Sequence, residues 1–456
     1  MEFQKVHFVG IGGIGMSGIA RILLEKGYQV SGSDIAETPM VRELKALGAK
    51  IKVGHAAANL NGSEVAVVSS AISISNPEVK CAIRRGVPIL HRSEMLAHLM
   101  NEKKGIAIAG THGKTTTTSM VALLLERADL DPTIVIGGVV DQFKSNAKTG
   151  RGEFLVAEAD ESDGSLVRLN PYISVITNIE ADHMDYYSDV NDIRKTFVKF
   201  LQKTHPDGMA VLCTDDHNVK QVAEQFHGRK RTYGLVNGAE LKAFDVKFSE
   251  MGSDFLVVNR GLELGRFQLS VPGMHNVYNA LAAISIGLEL KIDNETIQSA
   301  FNEFNGAKRR FQIISSSDSM TVVDDYAHHP TEIMATLSAA RKVRGKGRII
   351  SVFQPHRYSR TKYFHDLYGR SFFNSDHVIV TDVYAAGEKP LPRVNGELIA
   401  ESLRKYGHPE VKYIPDINDV PSYIGHIARE NDFLITLGAG DVWKVAQAVS
   451  NSIKTA

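Results

Sequence analysis

Short apolar runs alternate along the chain with longer segments in which apolar positions recur at helical spacing. The first run, KVHFVGI, leads into a helical segment, SGIARILLEKG, and then into a second run, QVSGSD. The alternation restarts after a polar break at residues 101–105 and again after residues 306–312. Apolar strands that alternate with helices predict a parallel, doubly wound sheet in each part. We therefore predict an α/β protein with three domains, residues 1–104, 105–311 and 312–456.

The length agrees with this division, because 456 residues correspond to about three domains of roughly 150 residues each. We expect Rossmann-like folds for the first and third domains and an ATPase fold of the P-loop type for the middle one. Alternating patterns between residues 230 and 270, such as RFQLSVPG, predict antiparallel strands added to the middle sheet. The following segment, HNVYNALAAISIGLEL, predicts a helix whose alanines and leucines face a core.

Charge and cysteine content argue against several classes of protein. Lysines plus arginines equal aspartates plus glutamates, 52 of each, so we expect neither a nucleic-acid nor a membrane partner. Cys81 and Cys213 lie far apart, which argues against a disulfide framework or a cysteine-rich metal site. The first residues do not follow the signal-peptide pattern, and no apolar run reaches the ~18 residues that a membrane span needs. We expect a cytoplasmic protein, monomeric or weakly dimeric.

The first glycine-rich stretch, GIGGIG at residues 10–15, follows a predicted strand and precedes a predicted helix. Glycines at such a turn let the backbone approach a diphosphate, which the helix amino terminus then favours electrostatically. Asp34 ends the second strand, where an acidic residue contacts a ribose in dinucleotide-binding folds. The motif fits the diphosphate of NAD or of a UDP-sugar, and a tight turn without a ligand is the alternative.

The second glycine-rich stretch, GTHGKTTTT, carries the stronger signal for phosphate binding. Gly110 stands only three residues before Gly113, which departs from the usual G-x-x-x-x-G-K-[ST] pattern. Backbone N–H groups near Gly113 can still hold phosphate oxygens, Lys114 can reach the β and γ phosphates, and the Thr115 hydroxyl can ligate Mg²⁺. A purely structural Gly-Lys-Thr turn is the alternative.

Two later predicted strands end in acidic residues and a histidine. FLVAEADESD contributes Glu158, and ISVITNIEADHMD contributes His183. Ligands of doubly wound sheets bind outside the carboxyl ends of the strands, so we expect both residues to face the same crevice as Lys114. Oxygen ligands suit Mg²⁺, whereas His183 alone would more often be a hydrogen-bonded structural residue.

In the third domain, QPHRYSR places Arg357 and Arg360 three residues apart at the start of a predicted helix. Such a pair can bind the carboxylate of an amino acid, although two surface arginines paired with neighbouring acids are the alternative. The strand that ends in DDYAHHP could likewise be an ordinary strand end. The glycine turn LGAGD near the carboxyl terminus has no assigned role.

These motifs together resemble the Mur ligases, ATP-dependent amide-forming enzymes of peptidoglycan precursor synthesis. They occur in the order found in the family and span nearly the whole chain: GIGGIGMSGIA, GTHGKTTTT, EADESD, TNIEADHMD, GMHNVYNALAA, KRRFQ, DDYAHHPTEI and FQPHRYSRT. The first of them is most similar to the alanine-adding branch of the family. The resemblance implies a UDP-substrate domain, a central ATPase domain and an amino-acid domain. It also implies that ATP and Mg²⁺ activate UDP-N-acetylmuramate as an acyl phosphate for attack by L-alanine.

The resemblance also implies a role for individual residues. The expected catalytic residues are Lys114, Glu158, His183, Arg310 and His328, and the expected magnesium ligands are Thr115, Glu158 and His183. The expected ATP contacts are Gly110, Thr111, His112, Gly113, Lys114, Thr115, Thr116, His275, Asn276, Asn279, Arg310 and Asp325. The expected UDP-substrate contacts are Gly12, Gly13, Ile14, Gly15, Asp34 and Ser70. The expected amino-acid contacts are Tyr326, His328, Arg357 and Arg360, with His328 or a water taking a proton from the amine.

The sequence departs from the family at a position where several members carry a modified lysine. Several Mur ligases carry a carbamylated lysine downstream of the histidine, but Val198 occupies the best-spaced position, with Lys195 and Lys199 displaced from it. We assign no such modification.

Three other functions are alternatives. A nicotinamide-dependent oxidoreductase would not explain the GTHGKTTTT motif, and a regulatory ATPase would not explain the HRYSR motif. A peptide-adding ligase of the same family is the nearest alternative.

Overall fold

The computed structural model describes residues 3–140, 143, 145–236, 238–249, 252–317 and 319–455. Three sheets follow one another along the chain, each covered by helices, and the first and third consist mainly of parallel strands. The predicted fold class is confirmed.

The amino-terminal sheet has five parallel strands in the order β3-β2-β1-β4-β5. Its strands are β1 (Lys5–Val9), β2 (Gln29–Asp34), β3 (Lys50–Val53), β4 (Val65–Val68) and β5 (Ile89–His91). Its helices are α1 (Ile14–Glu25), α2 (Pro39–Ala46), α3 (Pro77–Arg85) and α4 (Arg92–Asn101), with a 3-10 turn at Ala57–Leu60. The short, apolar strand β1 is buried because it is central in the sheet, with β2 and β4 on either side.

The middle sheet has ten strands in the order β15-β14-β13-β12-β11-β10-β6-β9-β7-β8. They are β6 (Lys104–Ala109), β7 (Thr133–Val140), β8 (Ser145–Lys148), β9 (Phe154–Glu158), β10 (Ile173–Ile176), β11 (Met209–Cys213), β12 (Lys230–Gly234), β13 (Leu241–Ser249), β14 (Gly252–Asn259) and β15 (Leu262–Leu269). The helices are α5 (Lys114–Arg127), α6 (Val190–Leu201), α7 (His217–Glu224), α8 (Met274–Glu289) and α9 (Asn294–Asn302), with a 3-10 turn at Ser165–Arg168. The predicted antiparallel addition is confirmed as β13, β14 and β15.

The carboxyl-terminal sheet has the order β16-β17-β21-β18-β19-β20, with β16 antiparallel at one edge. Its strands are β16 (Gln312–Ser316), β17 (Met320–Asp325), β18 (Ile349–Phe353), β19 (His377–Val380), β20 (Val411–Tyr413) and β21 (Asp432–Leu437). The helices are α10 (Pro330–Arg344), α11 (Tyr358–Tyr368), α12 (Glu397–Lys405), α13 (Val420–Ile427) and α14 (Trp443–Thr455), with a 3-10 turn at Ile417–Asp419. The edge strand β16 was not predicted from the sequence.

Helix α1 of the first sheet packs on the antiparallel pair β7–β8, which the sequence analysis also missed. Asn146 donates hydrogen bonds from Nδ2 to the carbonyl of Ile14 at 2.7 Å and to Oγ of Ser17 at 3.0 Å. Gly18 favours this close approach, because a Cβ there would make a tight contact, 3.3 Å, with Nδ2 of Asn146. The two strands therefore fix the first glycine-rich turn against the middle sheet.

The connection into the third sheet is held in an unusual backbone conformation. Arg309 and Phe311 have φ values of 60° and 50°, in the left-handed region that L-residues rarely adopt. Phe311 N donates to Oδ2 of Asp325 at 2.8 Å, and Tyr326 N donates to the carbonyl of Arg309 at 2.6 Å. The guanidinium of Arg309 also donates to the carbonyl of Gly438 at 2.6 Å. The turn LGAGD therefore helps to anchor the connection between the second and third sheets.

A buried polar network lies within the amino-terminal domain around Glu78. This fully buried carboxylate accepts hydrogen bonds from Oγ of Ser33 at 2.6 Å, Nδ2 of Asn59 at 2.7 Å and Nε2 of His7 at 3.2 Å. Burial acts to raise the pKa of Glu78, but His7 and the other donors outweigh it and lower the pKa to about 2. The ionised carboxylate of Glu78 therefore stabilises the sheet fully at pH values above 4.5.

We expect Glu78→Gln to destabilise the amino-terminal domain by about 2 kcal/mol at neutral pH, because the amide keeps only part of the network and none of the charge. The loss should shrink as the pH falls from 4.5 towards about 2, since Glu78 stabilises the fold only while it is ionised. Hydrogen exchange of the β1 and β2 amides measures the effect. Glu37→Gln is the control, because Glu37 is exposed and its carboxylate pairs with Lys45 of α2. Equal protection in Glu78→Gln and the wild type would contradict the prediction.

Candidate active site

The loop between β6 and α5, residues 110–113, has a backbone that only glycine tolerates at two positions. Gly110 has φ 138° and Gly113 has φ 83°. A Cβ on Gly110 would lie 2.0 Å from Oγ1 of Thr177, and one on Gly113 would lie 2.5 Å from Oδ1 of Asn279. His112 N donates to Oδ1 of Asn178 at 2.8 Å, so the end of β10 also holds the loop. Sequence analysis assigned no role to Thr177 or Asn178, although the TN pair directly follows a predicted strand.

Lys114 begins helix α5 and folds back over this loop. Its Nζ donates to the carbonyl of Gly110 at 2.5 Å and to Oε1 of Glu161 at 2.8 Å. Burial acts to lower the pKa of Lys114, but Glu161 and Asp160 outweigh it, so the amine stays charged. Burial raises the pKa of Glu161 to about 7 despite Lys114. Among the described side chains, Oε2 of Glu161 is a buried oxygen without a hydrogen-bond partner.

The three predicted magnesium ligands, Thr115, Glu158 and His183, line one cavity of about 670 Å³ together with Asp160 and Glu161. Glu158 Oε1 accepts from Gly137 N at 2.6 Å, and burial raises the pKa of this carboxyl. His183 lies with Nε2 3.8 Å from Oε1 of Glu161, and burial lowers its pKa, which leaves a neutral imidazole. Carboxylates outnumber Lys114 at this end of the cavity, and Oε2 of Glu161 has no partner. A divalent cation fits this set of donors.

A second cavity, of about 300 Å³, also borders the loop at residues 110–113, through His112 and Gly113. Eight of the residues predicted to contact ATP line it: His112, Gly113, Thr116, His275, Asn276, Asn279, Arg310 and Asp325. Helix α8 presents Asn279, whose Oδ1 accepts from Oγ1 of Thr117 at 3.1 Å. Burial lowers the pKa of His275 to about 4, so its imidazole is neutral. The middle and third sheets both contribute to this cavity.

Asp325, predicted to approach the ribose, ends strand β17. Its Oδ1 accepts from Ala327 N at 2.7 Å, and its Oδ2 accepts from Phe311 N at 2.8 Å. Burial raises its pKa to about 6, although Arg310 acts in the opposite direction. The carboxylate therefore has a structural role at the connection between the sheets as well as its place in the cavity wall.

The four residues predicted to contact the amino acid, Tyr326, His328, Arg357 and Arg360, all line the larger cavity. The two arginines differ in their surroundings. Arg360 is buried and binds Asp182 from Nη2 at 2.9 and 3.1 Å, so its guanidinium already has a carboxylate partner. Arg357 is partly exposed, and its Nη1 lies 3.6 Å from Oδ2 of Asp185. Sequence analysis treated the two as equivalent, because spacing alone does not reveal the partner Asp182.

The environment of His328 defines its tautomer. Its Nδ1 lies 3.0 Å from the carbonyl of Tyr326, and a carbonyl can only accept, so the neutral ring carries its hydrogen on Nδ1. Burial and the nearby Arg360 lower its pKa to about 3. The unprotonated Nε2 is therefore a weak base in this arrangement. A water remains the other predicted acceptor of the amine proton.

Asp34, at the end of β2, holds the first glycine-rich loop. Gly12 N donates to Oδ2 of Asp34 at 2.8 Å, and a Cβ on Gly12 would lie 2.9 Å from that oxygen. Gly13 caps helix α1, and Ile14 is 41% exposed, so this helix end is open to solvent. A Cβ on Gly15 would lie 3.4 Å from Nη1 of Arg92. Ser70 lies in an exposed turn after β4, the strand next to β1.

His112, Glu180 and His329 form a close group that superficially resembles a metal site. Both nitrogens of His112 already face carboxylates, with Nδ1 3.3 Å from Glu332 and Nε2 3.3 Å from Glu180. His329 accepts from Thr331 N through Nδ1 at 3.3 Å, and its Nε2 lies 3.2 Å from the carbonyl of Ala181. The group is therefore a hydrogen-bonded contact between the middle and third domains. Sequence analysis assigned no role to Glu180 or Glu332.

Three regions of the chain match known protein families. Residues 5–104 match the catalytic domain of the Mur ligase family, residues 108–287 the Mur ligase middle domain, and residues 309–440 the Mur ligase glutamate ligase domain. The chain is 50% identical over 449 residues to a UDP-N-acetylmuramate–L-alanine ligase from Trichlorobacter lovleyi, covering 98% of both chains. It is 49% identical over 453 residues to the protein of that name from Desulforamulus reducens, covering 97% of this chain and 96% of the relative.

Solved structures agree with these matches. A UDP-N-acetylmuramate-alanine ligase from Thermotoga maritima is 32% identical with a TM-score of 0.85, covering 99% of both chains. A UDP-N-acetylmuramate:L-alanyl-γ-D-glutamyl-meso-diaminopimelate ligase from Neisseria meningitides is 30% identical with a TM-score of 0.63, covering 67% of this chain and all of the other. Both full-length sequence similarity and fold therefore connect this chain with amide-forming ligases.

Proposed function

Because this chain belongs to the Mur ligase family, we propose that it joins L-alanine to the lactyl carboxylate of UDP-N-acetylmuramate at the expense of ATP. The reaction yields ADP and phosphate in peptidoglycan precursor synthesis. One observation carries the proposal: a single cavity contains Lys114, the carboxylates that follow β9, and Arg357 from the third domain. The loop proposed to bind phosphate and the arginine proposed to bind the carboxylate of alanine therefore face the same space.

The chemistry explains why the site needs positioned charges more than a nucleophilic side chain. A carboxylate does not react with an amine at neutral pH, because oxide would have to leave. Transfer of the γ-phosphoryl group of ATP to the lactyl carboxylate gives an acyl phosphate and ADP. The amine of L-alanine attacks the acyl carbon, and the tetrahedral intermediate collapses to amide and inorganic phosphate. Lys114 and Arg310 supply positive charge to the phosphoryl group during the first step.

The proposed magnesium ligands are Thr115, Glu158 and His183, and the buried, unpartnered Oε2 of Glu161 supports a cation at this position. When bound, Mg²⁺ neutralises phosphate charge and orients the phosphoryl group. Neighbouring groups orient two of these side chains: Gly137 N donates to Oε1 of Glu158 at 2.6 Å, and Nε2 of His183 lies 3.6 Å from Oδ2 of Asp182.

The remaining assignments are proposals of the same kind. We propose that residues 1–104 bind the UDP-substrate, residues 105–311 bind ATP, and residues 312–456 bind the amino acid. The open end of helix α1 at Gly13 and Ile14 supports diphosphate binding at the first loop. Among the described helices, none is long and apolar enough to cross a membrane. We propose a cytoplasmic enzyme, monomeric or weakly dimeric.

Phosphate release from Mg-ATP tests the proposed reaction. Each test well contains UDP-N-acetylmuramate and one of L-alanine, L-serine, glycine or the peptide L-alanyl-γ-D-glutamyl-meso-diaminopimelate. Two control wells omit either the UDP-sugar acid or the amine. We expect release only when both the UDP-sugar acid and L-alanine are present. Release with the peptide alone would retain the family and change the substrate, and release without any amine would contradict the ligase assignment.

We expect Lys114→Ala to abolish alanine-dependent phosphate release while the fold stays intact. The charge that holds the β and γ phosphates is lost, whereas Glu161, with its pKa raised to about 7, can take up a proton once its partner is gone. Circular dichroism and thermal melting check the fold. Lys199→Ala is the control, because Lys199 lies exposed on α6. Near wild-type turnover in Lys114→Ala would refute phosphate binding by this loop.

We expect Arg357→Ala to raise the KM for L-alanine about tenfold or more, with little change in the KM for ATP, because a charge-assisted pair with the amino-acid carboxylate is removed. Steady-state kinetics with each substrate varied in turn measures the effect. Arg357→Lys should recover part of the affinity through its charge. An unchanged KM for L-alanine in Arg357→Ala would place the amino acid elsewhere in the cavity.

A further inference from the structure

One carboxylate, that of Glu332, contacts three parts of the active-site region. Its Oε1 lies 3.3 Å from Nδ1 of His112 in the phosphate loop and 3.6 Å from Nη1 of Arg310 at the connection between domains. Its Oε2 lies 3.4 Å from Nδ1 of His328, in the proposed alanine pocket. These three partners belong to the ATP-binding loop, the interdomain connection and the amino-acid side of the site.

Only part of this arrangement is needed to start helix α10. Glu332 is the third residue of the helix, and its Oε2 accepts from the backbone N–H groups of His328 at 3.0 Å and His329 at 3.2 Å. This is the glutamate half of a capping box, for which glutamine serves as well. The contacts of Oε1 with His112 and Arg310 lie outside that capping role.

The two cavities of the site meet at Glu332. The cavity of about 300 Å³, where ATP is predicted to bind, shares four lining residues with the larger cavity: His112, Gly113, Arg310 and Glu332. His112 and Gly113 belong to the phosphate loop, and Glu332 is the residue of this group that the third domain contributes, from helix α10. The carboxylate therefore stands where the third domain touches the loop that holds the phosphates.

The contact between Glu332 and His112 is an ion pair at neutral pH. Burial acts to lower the pKa of His112, but Glu332 and Glu180 outweigh it and raise the pKa to about 9. Burial acts to raise the pKa of Glu332, but the charged His112 and Arg310 help to hold it well below its usual range. The side chains are 14% and 11% exposed, so water screens their attraction only weakly.

We propose that Glu332 is a positioning residue that holds the alanine pocket of the third domain in register with the phosphate loop of the middle domain. The carboxylate contacts neither reacting group itself and acts through His112, Arg310 and His328. This inference rests on the proposed ligase reaction. It adds that attack by the amine depends on a charged contact between the two domains.

The variant Glu332→Gln separates the two roles of this side chain. The amide keeps an oxygen that accepts from His328 N and His329 N, and it loses the charge that pairs with His112. We expect kcat for alanine-dependent phosphate release to fall by roughly tenfold to a hundredfold, since small misplacements of reacting groups carry such costs. The KM for UDP-N-acetylmuramate and the melting temperature should stay close to the wild-type values, because His112 keeps Glu180 as a carboxylate partner.

Glu94→Gln is a matched control, because helix α4 begins with the same kind of capping box, formed by His91 and Glu94. Glu94 is not among the residues that line either cavity. We expect wild-type kcat for Glu94→Gln. Equal losses of melting temperature in both variants, without a selective loss of kcat in Glu332→Gln, would reduce Glu332 to a helix cap and overturn the proposal.

His112→Gln tests the same contact from the phosphate loop and leaves helix α10 untouched, so it decides the question if Glu332→Gln fails to fold. In a double-mutant cycle, His112→Gln combined with Glu332→Gln should be little slower than the slower single variant. Fully additive losses, or wild-type kcat in His112→Gln, would overturn the proposal.

Hydrogen exchange distinguishes a failure of this inference from a failure of the proposed reaction, because it needs no turnover. With a non-hydrolysable ATP analogue, the wild type should gain protection at residues 110–116 and at residues 328–332 together. Glu332→Gln should gain protection only at residues 110–116. Joint protection in both proteins would overturn the positioning role, whatever amine the enzyme uses. Absence of alanine-dependent release by the wild type would instead refute the proposed reaction.

Discussion

The parallel pairing of β6 with β9 and β10 is the constraint on which the active site depends. Ile108 of β6 pairs with Glu158 of β9, and Ala109 pairs with Ile176 of β10. The phosphate loop, the first carboxylate and the segment that leads to His183 therefore leave the sheet at the same level. Because parallel strands end at one edge, residues separated by many positions in the chain reach a common cavity. The left-handed backbone at Gly110 and Gly113 then fits the loop against the end of β10.

Much of this arrangement could be predicted from the sequence, because it follows from local patterns. The apolar strands predicted the three sheets, and the glycine positions predicted the turn before Lys114. The acids at the strand ends predicted the carboxylates near Lys114. The pair β7–β8 and the edge strand β16 were missed. Strand β7 is apolar but is interrupted by Gly137 and Gly138, whereas β8 (SNAK) and β16 (QIISS) are short and contain polar residues. Glu161 and Glu332 were not assigned as functional residues, because a glutamate after a strand or inside a helix start has no distinctive spacing. Their importance comes from the partners that folding brings to them.

The third domain adds a different constraint, which concerns where the chain crosses into it. Arg309 and Phe311 adopt left-handed backbone conformations that cost free energy. Hydrogen bonds that they donate to Gly438, after β21, and to Asp325, at the end of β17, offset this cost. The guanidinium groups of Arg309 and Arg310 each lie 5.0 Å from the ring of Tyr326. The connection therefore contributes residues to both the cavity of about 300 Å³ and the cavity of about 670 Å³, so a shift of the third domain would change both at once.

The cations of the site share one property that bears on how ligands are recognised. Lys114 is paired with Glu161, Arg360 with Asp182, and His112 with Glu332. An anionic ligand that binds Lys114 directly therefore replaces a carboxylate, rather than meeting a free charge. The gain in free energy is the difference between two ion pairs, which is smaller than the strength of the new pair alone. Such an exchange would favour ligands that also stabilise the displaced carboxylate. Under the proposed reaction, a phosphate bound together with a divalent cation would therefore be preferred over a phosphate alone.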